Sequence, residues 1–126
     1  MPYPLDDTIV AVASPPGGGA RGILRLSGPD VGACVARLFQ PDEPLVLSEI
    51  TLASVIPGSL RLDEKTPPVP CDLYFWPTRR SYTGQPAGEL HTFGCPPLLE
   101  AAVERLCEAG ARLAESGARQ RAVGLA

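Results

Sequence analysis

Residues 8–28 contain two short apolar runs separated by a stretch that no regular element accommodates. The first run, residues 8–13 (TIVAVA), is rich in β-branched residues and reads as a strand. Residues 14–20 (SPPGGGA) break it with two Pro and three Gly. The second run, residues 23–27 (ILRLS), places Leu24 and Leu26 on one face and Ile23, Arg25 and Ser27 on the other. The two strands are expected to form a hairpin-like unit with an unusually long connection.

The next residues, Ser27-Gly28-Pro29-Asp30, have the form of a helix start: a capping hydroxyl, an early Pro and an early acid. Val31, Val35, Leu38 and Phe39 follow at helical spacing, and Pro41 and Pro44 end that helix. Residues 50–56 form a β-rich run, Pro57-Gly58 is a turn signal, and Leu60 and Leu62 begin a short return strand. Residues 63–70 are a polar, Pro-rich loop. Residues 72–76 are a strand with three aromatics in succession, residues 77–88 a second long loop, and residues 89–93 a short strand.

Residues 97–109 give the clearest helix. Leu98, Leu99, Ala102, Val103, Leu106 and Cys107 form its apolar stripe, and Gly110 is its C-cap. Residues 111–114 are a last edge strand, and residues 115–126 a frayed polar tail. The expected fold is α+β: a mixed sheet of about five to six strands with two main helices on one sheet face. Nothing divides the chain, so residues 1–126 are expected to be one domain.

Composition excludes several classes. The net charge of -3 argues against a free-standing nucleic-acid binder, which would present a basic face. The N-terminal MPYPLDD lacks the basic and apolar regions of a signal peptide. No stretch approaches the roughly 20 apolar residues that cross a bilayer, so the cytoplasm is expected. Cys34, Cys71, Cys95 and Cys107 have no close spacing and lie in apolar segments, which reads as buried free thiols.

Residue types also limit the chemistry. A phosphate-binding GxxxxGK loop needs a lysine, and the only one, Lys65, lies in a Pro-rich loop. One His and four dispersed Cys do not make a metal site. No nucleophile–base pair is visible, so no catalytic residue is assigned and independent catalysis is not expected. His91 reads as a half-buried strand residue with one hydrogen-bond partner, or as a general base. Asp63, Glu64, Glu100 and Glu104 read as solvated.

Two side chains stand out. Arg25 lies in a strand, opposite two leucines and just after the glycine loop. There it either holds a carboxylate or heterocycle edge by bidentate bonds or is a surface strand arginine. Glu89 opens the strand after the second loop and either accepts paired N–H donors from a bound ring or is solvated.

These residues resemble a known family. DTIVAVASPPGGGARGILRLSG is similar to DTIxAxATPPGxGGxGIxRxSG, the usual opening of the MnmE (TrmE) family of tRNA-modifying GTPases. SYTGQPAGELHTFGCP resembles that family's SYTGEDxxELxxHGGP. The resemblance covers nearly the whole chain but only the family's N-terminal domain. It implies a fold similar to the folate-binding fold of the glycine-cleavage T-protein, a tetrahydrofolate derivative (5-formyl or 5,10-methylene) as ligand, and a homodimer. The helical domain, the GTPase domain and the C-terminal cysteine motif have no counterpart in these residues.

By the same resemblance, Arg25 and Glu89 are the folate contacts, and Gly17, Gly19, Ser81, Tyr82, Thr83 and Gly84 support the two loops. Possible partners are MnmG (GidA) or a full-length MnmE, in the modification of wobble uridine in tRNA, with no direct contact to nucleic acid or membrane. Polar positions depart from the pattern: Gly18 and Ala20 in the first loop, Gln85 and Pro86 for a Glu-Asp pair, Phe93 for a His and Cys95 for a Gly. The alternative reading is therefore a degenerate paralogue that keeps the fold and acts as a protein-interaction or dimerisation module without folate.

Overall fold

The structure, a computed structural model, describes residues 7–14, 19–77 and 85–114. Its centre is a mixed sheet in the order β3-β4-β5-β6-β2-β1-β7. In chain order the strands are β1 (Ile9–Val12), β2 (Gly19–Ser27), β3 (Phe39–Pro41), β4 (Ser54–Leu60), β5 (Val69–Trp76), β6 (Ala87–Gly94) and β7 (Arg112–Leu113). Two helices, α1 (Val31–Ala36) and α2 (Pro96–Glu108), pack on one face. The arrangement is α+β as expected, with seven strands among the described residues.

Alternation builds the core. Leu24 and Leu26 on β2, Val10 on β1, Leu73 and Phe75 on β5 and Leu90 on β6 all point to the helical face and are buried. Val31 and Val35 of α1 and Leu99, Ala102 and Leu106 of α2 meet them there. In α2 these three are the centre of the expected stripe, while Leu98, Val103 and Cys107 are its half-buried flanks. β1 and β2 form the expected antiparallel pair, with Val10 opposite Leu26.

The end of α2 explains how the last strand is placed. Gly110 has φ +119, the Gly110 N–H donates to Cys107 O at 3.1 Å, and the Ala111 N–H donates to Leu106 O at 3.0 Å. This is a Schellman closure, which needs a residue free to take positive φ. It turns the chain so that β7 lies parallel to β1. There the Arg112 Nε donates to Asp7 Oδ2 at 2.8 Å, tying the sheet edge to the start of β1.

Four expectations are corrected. α1 ends at Ala36, and Phe39 begins β3 instead of continuing the helix. Helical spacing from Val35 does not separate these outcomes, and pairing with Leu60 decides it. Pro57-Gly58 is not a turn but the middle of β4, so Leu60 ends that strand instead of beginning a return strand, and Leu62 lies outside any strand. Pro57 O accepts from Asp42 N at 2.9 Å, on the side away from β5, so the missing N–H of Pro57 faces the same side and costs no bond to β5.

The start of α1 is not capped by Ser27. Asp30 is the N-cap, and its N–H donates to Thr8 Oγ1 at 2.9 Å, a hydroxyl supplied by the residue before β1. The cysteines are all free, but only Cys34 and Cys71 are buried, whereas Cys107 is half-buried and Cys95 exposed at the N-cap of α2. Burial first, and then Asp72, pushes the Cys71 thiol up to about 12. No helix among the described residues is long and apolar enough to cross a membrane.

Candidate functional site

The sheet face away from the helices is only partly covered. On it, β2, β6 and β5 lie side by side and bring together residues remote in sequence. Arg25 stands directly opposite Glu89, and Glu89 directly opposite Tyr74. Residues two apart on a strand share a face, so His91 points the same way as Glu89. The Arg25 Nε donates to Glu89 Oε2 at 2.8 Å, and His91 Nε2 lies 2.9 Å from Glu89 Oε1. The Tyr74 ring sits against the His91 ring, with centroids 4.2 Å apart and planes tilted by 38°.

The three polar side chains differ in exposure: 60% for Arg25, 20% for Glu89 and 14% for His91. Burial pushes the Glu89 carboxyl up, but the hydrogen bonds from His91 and Arg25 and the attraction of Arg25 outweigh it. Its pKa lies below the ordinary glutamate value of 4.5. Glu89 is thus a carboxylate at neutral pH and accepts hydrogen bonds only. Beside His91 a cleft of about 280 Å³ opens between Arg21, Asp72 and Phe93. An anionic acceptor, an exposed guanidinium and a neighbouring cleft form a surface that can take a ring with paired N–H donors and an acidic group.

The expected site residues fare differently. Arg25 and Glu89 come together, but as partners of each other and not as two separate contacts. Gly19 opens β2, with nothing among the described residues within 4 Å of where a Cβ would stand. Gly17, Ser81, Tyr82, Thr83 and Gly84 lie outside the described residues. His91 is half-buried with Glu89 as a partner, in keeping with the simpler of its two sequence readings. Its link to Glu89 was missed, although the spacing of two on one strand was a usable signal. Tyr74 was missed because nothing local encodes the β5–β6 register.

Comparison with known proteins places this fold. The family described as "GTP-binding protein TrmE N-terminus" matches residues 8–122. The chain belongs to this family. A tRNA modification GTPase MnmE of Rhodopirellula baltica is 41% identical over 112 residues, covering 89% of this chain and 24% of that protein. The MnmE of Christiangramia forsetii is 36% identical over 118 residues (90% of this chain, 24% of the relative). That of Methylococcus capsulatus is also 36% identical over 118 residues (93% and 25%). The chain therefore spans about a quarter of the length of these curated relatives. At the end of β2 the Gly28 N–H donates to the backbone carbonyl of Pro86 at 3.0 Å, a bond that any residue at position 86 could accept.

Proposed function

We propose that this TrmE N-terminal domain binds a tetrahydrofolate derivative, 5-formyl or 5,10-methylene, on its open sheet face and dimerises in the service of wobble-uridine modification in tRNA. The observation that carries this reading is the opposed pair Arg25 and Glu89, the two positions at which the family resemblance implies folate contacts. A pterin edge offers paired N–H donors, which suit an ionised Glu89. The ring carbonyl beside those donors offers an acceptor, which suits Arg25 standing against the same carboxylate. Arg25 is exposed enough to change partners as the ligand arrives.

Calorimetric titration with 5-formyltetrahydrofolate tests the reading. Binding is expected, and Arg25→Ala and Glu89→Ala should each weaken it by about tenfold or more, as for loss of a charge-assisted bond. The absence of heat at millimolar ligand, or unchanged affinity in both variants, overturns it.

One observation favours the second reading, a paralogue that dimerises or docks on another chain without folate. Phe93, at a family His position, is 54% exposed, and Val55 on β4 is 56% exposed. A dimeric mass without ligand, together with no heat on titration, would favour that alternative.

A further inference from the structure

We propose that His91 is a positioning residue for ligand recognition: it fixes one oxygen of Glu89, so that the other oxygen, held by Arg25, is the acceptor handed to the N–H donors of the ligand. The proposal rests on the folate reading given above. Both Glu89 oxygens are engaged, but not equivalently. Oε2 is held by an arginine that is 60% exposed, a long side chain whose bond to the carboxylate is readily exchanged. Oε1 is held by a histidine that is 14% exposed and packed against Tyr74. The arginine can swing away; the imidazole is held in place.

The donor is defined by its partner. Glu89 is ionised and accepts only, so the contact is a bond donated from His91 Nε2. Several other groups face the ring. β2 supplies Arg21 and Arg25 on either side of Ile23, which stands directly opposite. β5 supplies Tyr74 and Asp72, the latter directly opposite.

The test is calorimetry with 5-formyltetrahydrofolate at pH 8 on the unmodified chain, His91→Gln and His91→Phe. At pH 8, His91→Phe is expected to bind about tenfold more weakly, and His91→Gln, which keeps an N–H donor, within about threefold of the unmodified chain. Binding by the unmodified chain with equal affinity in His91→Phe overturns this proposal alone, as does a loss in His91→Gln as large as that in His91→Phe. Absence of binding by the unmodified chain overturns the folate reading itself, and this proposal with it.

Discussion

Gly28→Ala is expected to cost about 3 kcal/mol or more of stability and to lower the melting temperature by roughly 10 °C. Two effects add. Gly28 has φ +136, a backbone region almost confined to glycine. A Cβ at this position would also stand 2.5 Å from Asp7 O and 2.5 Å from Thr8 Cα, both backbone atoms that cannot rotate away. The residue holds a junction: its N–H donates to Pro86 O at 3.0 Å, and the next turn of chain starts α1 against the Thr8 hydroxyl. Gly32→Ala is the contrast. It lies inside α1 with only Phe75 near among the described residues, at 3.7 Å, and is expected to leave stability unchanged or raise it by up to about 1 kcal/mol. Thermal unfolding followed by circular dichroism reads both. Equal melting temperatures for the two variants would contradict the packing described.

Leu90→Ala is the second large effect, about 2–5 kcal/mol. Leu90 is fully buried and stands in register between Leu24 on β2 and Leu73 on β5, so three leucines form one row beneath the helices. Each neighbour is itself pinned in the sheet, which leaves little room for the cavity to collapse. Against a typical total of about 5–15 kcal/mol, the loss is a large share. In urea the midpoint should fall while the slope holds. Leu52→Ala, at a residue 69% exposed, is expected to change stability by less than about 0.5 kcal/mol. Comparable losses in both variants would mean that Leu90 is not in the core.

Much of this architecture was legible in the sequence, for reasons that can be named. Alternation in residues 23–27 put Leu24 and Leu26 on one face and Arg25 on the other, because a strand's side chains alternate whatever its partners. The stripe from Leu98 to Cys107 located α2. By contrast, β3 and the full length of β4 depend on partners distant in the chain. Phe39 is at helical spacing from Val35 but is claimed by Leu60, and Pro57 is tolerated in β4 because its nitrogen faces away from β5. The site divides similarly. Arg25 and Glu89 were each visible as polar residues on strands, but their contact spans 64 positions and depends on register. Tyr74 joins the group for the same reason. Only the Glu89–His91 contact was local enough to be read from spacing.

The folate reading of the open face is tested most directly by amide chemical shifts of the ¹⁵N-labelled chain on addition of 5-formyltetrahydrofolate. Saturable shifts are expected to centre on Arg25, Glu89 and His91 in β2 and β6, and to extend to Tyr74 in β5. No saturable shifts, or shifts confined to α1 and α2 on the covered face, would contradict it.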